Sequence, residues 1–190
     1  MNDSMVSALA ELLSALERAG IRHAVGGSLA SSAHGAFRAT LDADLVAAIS
    51  MHHVRPLCAA LGRGWYADAA MIEDALRCGR SFNLIHIGSA FKFDIFPATD
   101  PFRHSQLERA QSTELPASVP ISCPVTTAED ILLAKLRWYR DGGEVSERQW
   151  NDIGGLLAAN AEFDWEYVTA WAARLGVSDL LDRARREAQT

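Results

Sequence analysis

Two carboxylates one residue apart, Asp42 and Asp44, and a third standing alone, Asp94 in Phe91-Lys92-Phe93-Asp94-Ile95-Phe96, are the residues of this chain whose types and spacing bear most directly on chemistry. Residues i and i+2 of a strand leave it on the same face, so Asp42 and Asp44 form one acidic patch if their segment is a strand. Two unit charges ~4 Å apart repel by ~4 kcal/mol at an effective dielectric near 20, so three carboxylates in one site call for cations or protons. Hard oxygen donors of this kind suit Mg²⁺. Upstream stands Gly26-Gly27-Ser28. A small-residue turn that opens a helix lets backbone approach a phosphate and offers it N–H groups and a hydroxyl. A phosphate cradle beside a metal cage is equipment for moving a phosphoryl or nucleotidyl group. The plainer alternative makes the acids solvated strand-end residues paired with Arg38 or Lys92, and the turn an ordinary one capped by Ser28.

Three further residues bear on the same site. Arg38, shortly before Asp42, can clamp a phosphate or pair with either acid. Lys135 falls on the apolar arc of its helical segment with Ala128, Ile131, Ala134, Trp138 and Tyr139, where a lysine needs a partner. It either snorkels, pairs with a buried acid, or reaches a nucleotide phosphate. Asp152 lies at the edge of an apolar helical face, and Arg148 one turn before it offers an ion pair.

The elements that must position these residues follow from periodicity. Residues 4 to 19 carry Val6, Leu9, Leu12, Leu13 and Leu16 at helical spacing, with Gly20 as a stop. A short strand is expected over 21–25, a helix from Ser28 to His34, and a strand over 42–49 with Ala43, Leu45 and Ala47 on its buried face. A helix follows over 52–61. Residues 82–87 and 91–96 read as a hairpin turned at Gly88-Ser89. All but one of the six prolines lie between Pro97 and Pro124, which reads as irregular connection with a short strand near Val119–Ser122. Thr127 then caps a helix running to about Arg140, and two or three more helices fill 146–188. Of the tryptophans, Trp138, Trp150, Trp165 and Trp171 fall in this tail and read as core, and His34 reads as structural. The order is an α/β (α+β) part over 1–123, then a helical region over 124–190.

Composition sets the outer bounds. The 190 residues carry 18 Lys and Arg against 24 Asp and Glu, a net charge of −6. A protein that coats nucleic acid needs clustered cations. The cysteines, Cys58, Cys78 and Cys123, form no CxxC pair, so a zinc site and a disulfide framework are both unexpected, which suits a reducing cytoplasm. No apolar run reaches the ~20 residues that span a bilayer.

Gly26-Gly27-Ser28, then Arg38-Ala39-Thr40-Leu41-Asp42-Ala43-Asp44, then Asp94, together resemble the nucleotidyltransferase superfamily with its polymerase-beta-like fold. The stretch His34 to Thr40 before the acids is closest to the abortive-infection (AbiEii-like) toxin type. So is Thr127 to Leu136, followed by the helix around Gln149-Trp150-Asn151-Asp152-Ile153. The resemblance implies a mixed β-sheet flanked by helices with a small helical C-terminal region. It implies an enzyme dependent on two Mg²⁺ ions, or Mn²⁺ in their place, that moves NMP from a nucleoside triphosphate such as ATP to an acceptor hydroxyl. In that reading Asp42, Asp44 and Asp94 hold metal, Gly26, Gly27, Ser28 and Arg38 hold the nucleotide, and Lys135 and Asp152 join from the helical part. The acceptor would be tRNA or a protein in a toxin–antitoxin setting with a cognate antitoxin partner. Two alternatives stand beside it: a nucleotidyltransferase acting on an antibiotic or metabolite, and a non-catalytic binding protein of the same fold.

Overall fold

The computed structural model describes residues 3–36, 42–115, 120–160 and 162–188. Its centre is a seven-stranded mixed sheet. Alternation builds the middle of that sheet. β2 (Asp42–Ala47) and β5 (Phe91–Pro97) run parallel, with Asp44 opposite Asp94 and Leu45 opposite Ile95. Ala43, Leu45, Ala47, Phe93 and Ile95 are all buried on one face. Asp42, Asp44 and Asp94 leave the other, as a period of two requires. β4 (Phe82–His86) pairs antiparallel with β5 as the expected hairpin, and the two-residue β3 (Trp65–Tyr66) lies outside it. On the other side come β1 (His23–Val25), antiparallel to β2, then β7 (Ile121–Val125), parallel to β1, then β6 (Gln111–Leu115) at the edge.

The greasy face is covered by α1 (Asp3–Arg18), whose Leu9, Leu12 and Leu16 are fully buried, and by α3 (Val54–Leu61). The acidic face is treated differently. The short helix α2 (Gly27–Ala33) opens at its margin, and α5 (Pro101–Arg109) covers only its far end, where Leu107 packs on Ala24 and Val46. α4 (Ala69–Arg77) completes the first part. After Val125 the chain leaves the sheet for α6 (Ala128–Asp141), α7 (Glu147–Ala159), α8 (Trp165–Leu175) and α9 (Ser178–Glu187). No helix among the described residues is long and apolar enough to cross a membrane.

Several expectations change. Among its described residues the region between Pro97 and Pro124 holds α5 and β6, both unexpected, and β7, which overlaps the short strand expected near Val119–Ser122. Asp100 caps α5, its Oδ1 accepting from Arg103 N at 2.9 Å, and Pro101 occupies the first turn. An acid cap followed by proline is a helix-start signal that outweighs proline content here. α2 starts at Gly27 with extended Gly26 as its N-cap and no side-chain cap, so Ser28 lies inside the first turn rather than before it. The cause is the bond from Gly26 N to Asp44 O, 2.8 Å, which keeps Gly26 extended alongside β2. Thr127 does cap α6, accepting from Asp130 N. Arg38 falls outside the described residues.

Candidate active site

The acids, the glycine turn and the helical lysine meet in one cavity of about 650 Å³ between the acidic sheet face and helices α5, α6 and α7. Gly26, Gly27, Ser28, Asp42, Asp44, Asp94, Lys135 and Asp152 all line it. Adjacent strands lie about 4.8 Å apart, so the shared register of Asp44 and Asp94 makes them lateral neighbours.

Gly27 carries a constraint that ties the turn to the acids. Its φ is +56°, in the left-handed region, and a Cβ there would lie 1.8 Å from Asp44 Oδ2. The Asp44 carboxylate therefore occupies the space a side chain would take at the start of α2. A close approach and a positive φ at one position both require glycine.

Asp44 is the most perturbed group of the site. Burial first, then the Asp94 and Asp42 charges, push its carboxyl up to about 7, against the opposing pull of Lys135 and Lys92. Lys92 Nζ stands 2.8 Å from Asp94 Oδ2. The ion pair that the plainer reading anticipated is thus present beside the acidic cluster. Among the described residues no three His, Cys, Asp or Glu side chains are gathered as a ready ion-binding group. The donor set nonetheless fits hard divalent cations. It consists of oxygens only, it is part-buried, and its central carboxyl is held toward neutrality by burial and then by like charges. Lys92 is 42% exposed on a flexible stem, so its ammonium can turn outward when a cation takes its place.

Lys135 and Asp152 are brought together across α6 and α7, with Lys135 Nζ 3.4 Å from Asp152 Oδ2. The lysine on the apolar arc therefore does have an acid partner, and it also lies close enough to Asp44 to act on its titration. Trp138, read from sequence as core, is instead 37% exposed and lines the cavity, its ring 5.2 Å from Phe96. His34 is structural, its Nε2 donating to Thr126 O at 2.9 Å. Sequence reasoning passed over Arg103 and Arg137, which also line the cavity, as does Arg148, expected only as an ion-pair partner of Asp152. Arg103 was legible only through the Asp100-Pro101 helix start. Arg137 had a weak signal, lying on α6 two residues past Lys135.

No family model and no curated protein matches the sequence. Among solved structures the chain is similar to the solution structure of the antibiotic-resistance factor ANT(2'')-Ia, an aminoglycoside nucleotidyltransferase. The TM-score is 0.55 at 16% identity, over 98% of this chain and 100% of that one. At that identity the likeness is one of fold. The chain has a nucleotidyltransferase-like fold, a mixed sheet flanked by helices, as the motif resemblance implied. The narrower likeness to the toxin type finds no support in it.

Proposed function

We propose that the protein transfers a nucleotidyl group from a nucleoside triphosphate to the hydroxyl of a small molecule. One observation carries the reading. Within a nucleotidyltransferase-like fold, Asp42, Asp44 and Asp94 share one sheet face beside the Gly27 turn and opposite Lys135, in a cavity of about 650 Å³. A volume of that order suits a ligand of drug-like size.

Asp42, Asp44 and Asp94 would hold the divalent ions, which when bound supply positive charge to the triphosphate and to the attacking oxygen. The chain's own groups do the rest. The Gly26-Gly27-Ser28 turn receives the terminal phosphates, and Lys135, oriented by Asp152, neutralises charge that grows on the leaving group. Arg38 is assigned to the same phosphates. Asp94 accepts the acceptor's hydroxyl proton. The acceptor oxygen then bonds to the α-phosphorus while the bond from that phosphorus to the bridging oxygen breaks, and pyrophosphate leaves with the electron pair. Residues 1–123 thus supply acids and cradle, and residues 124–190 close the site with Lys135 and Asp152.

The acceptor is taken as small because of the cavity's size and the net charge of −6. Binding bulk tRNA draws on clustered cations and counterion release. The deciding experiment is calorimetric titration of each nucleoside triphosphate, with and without Mg²⁺, into the wild type and the Asp42→Asn/Asp44→Asn double variant. Pyrophosphate release is then followed with small hydroxyl acceptors, bulk tRNA and protein. Metal-dependent binding that vanishes in the folded variant is expected, with release driven by small acceptors. Labelled tRNA or protein would instead restore the toxin-type acceptor, and absence of binding would favour a non-catalytic protein of this fold.

A further inference from the structure

The cavity has a second end whose chemistry is the reverse of the carboxylate end. On β5 the next residue on the face of Asp94 is Phe96, about 7 Å along the strand. The Arg103 guanidinium lies over the Phe96 ring, Cζ 5.7 Å from its centroid, and Trp138 packs against the same ring. Arg103 and Arg137 both direct Nη1 at a single oxygen, Asp100 Oδ2, at 3.2 and 3.4 Å. The other Asp100 oxygen accepts from the backbone N–H of Arg103 as the cap of α5. Arg137 Nε also lies 3.9 Å from Asp141, but that acid is 67% exposed and screened by water.

Two guanidinium groups, each with five N–H donors, therefore share one carboxylate oxygen inside a cavity. The two guanidiniums thus converge on one acceptor, Arg103 the more buried at 21% exposure and Arg137 at 36%. Burial, together with the Arg137 charge, holds the Arg103 guanidinium below its usual range even though Asp100 pulls the other way. Arg137 also lines an adjoining cavity of about 570 Å³ with Arg140 and Arg174.

We infer that the acceptor is an anion, a hydroxyl compound carrying a phosphate whose oxygens seat between Arg103 and Arg137 while its hydroxyl points back to the carboxylate end. The inference rests on the transfer reading above and names its substrate class. Guanidinium forks match phosphate oxygens in pairs. The roughly 7 Å step from Asp94 to Phe96 is within the length of one small phosphorylated sugar. A polycation of the aminoglycoside kind would set ammonium groups against this pair.

The test uses the guanidinium Nε–H resonances of Arg103 and Arg137, assigned by their loss in Arg103→Gln and Arg137→Gln. The protein is saturated with Mg²⁺ and a non-transferable α,β-methylene nucleoside triphosphate, then titrated with inorganic phosphate, ribose 5-phosphate, a short RNA oligonucleotide or an aminoglycoside. Phosphate and the sugar phosphate are expected to shift both resonances saturably, and their affinity, measured by calorimetry, to fall at least tenfold in the folded double variant. Resonances unmoved by phosphate would overturn the inference. So would shifts produced by the aminoglycoside, or by the oligonucleotide while the sugar phosphate is silent. Resonances already moved by the nucleotide and then deaf to phosphate would place both arginines on the triphosphate instead. If no nucleotide binds, the transfer reading fails by calorimetry, and phosphate titration of the free protein still decides whether the anion site exists.

Discussion

Asp44 is where folding and chemistry conflict most directly. Its carboxyl titrates at about 7 in the folded protein against an ordinary 3.8, so the native state holds that proton more tightly than the unfolded chain does. The contribution to stability is full below the unfolded value and is lost as pH rises through the folded one, by up to ~4 kcal/mol. Without divalent cations, the wild type should therefore lose stability between pH 5 and pH 8 relative to Asp44→Asn. The variant should be the more stable protein at pH 8. Denaturant unfolding in a chelating buffer at both values measures the difference, and parallel pH slopes would sink the idea. Adding Mg²⁺ should recover stability in the wild type only. Gly27 carries the complementary prediction. Left-handed backbone costs ~1–2 kcal/mol for a residue with a Cβ, and that Cβ would collide with the Asp44 carboxylate. Gly27→Ala should lose at least ~2 kcal/mol of stability together with metal-dependent nucleotide binding. Gly26→Ala, whose Cβ meets only Asp44 O at 3.8 Å and Thr126 Oγ1 at 3.9 Å, should keep both. Equal calorimetric binding by the two variants would contradict this account.

At the scale of elements, α6 does two jobs with one amphipathic pattern. Ile131, Leu132, Leu133 and Leu136 bury its inner side, and Ala134, Lys135 and Trp138 face the cavity. The cavity face is a strip of the same surface that the apolar arc suggested, interrupted where the sheet turns acidic. Lys135 and Asp152 remain partly exposed, at 13% and 20%, so their pair adds modestly to stability. Lys135→Met should shift the unfolding midpoint little and lower transfer by ~10²-fold, the scale of removing one group that stabilises developing charge. Pyrophosphate release under saturating nucleotide measures it. A variant that is folded and fully active would assign the pair to packing alone.

Across the whole molecule, the first part and the helical region are joined by a polar cluster behind the site. Asp130 on α6 is fully buried. It accepts from Tyr167 on α8 at 2.6 Å and from Thr127 Oγ1 at 3.1 Å. Ser105 on α5 lies 2.9 Å from the Tyr167 hydroxyl, and the Arg109 guanidinium stacks on the Tyr167 ring. Burial and the Asp130 carboxylate both hold the Tyr167 hydroxyl well above its ordinary range, so it stays a donor. Tyr167→Phe leaves a buried carboxylate short of a donor, at ~1–3 kcal/mol. It should lower the unfolding midpoint while leaving nucleotide affinity below that midpoint unchanged. A loss of affinity without loss of stability would show that the cluster positions α6 for the site.

Local pattern was enough to read the first helix, the acid-bearing strand, the hairpin with Asp94, the Thr127 cap and a helix opening at the glycine-serine turn, though not its capping residue. In each of these, the interaction that selects the structure lies within a few residues. Period-two alternation alone puts Asp42 and Asp44 on one face, and a lysine amid apolar helical positions announces a partner without naming it. Only tertiary structure decided the rest. Register between strands some fifty residues apart set Asp44 beside Asp94, and the packing of α6 on α7 chose Asp152 as the partner of Lys135. Helix α5 was obscured because proline content masked its start signal. Its Arg103 gained meaning only when the fold carried it to Arg137, since the convergence of two guanidiniums on one carboxylate depends on distance in space, which residue spacing along the chain does not encode.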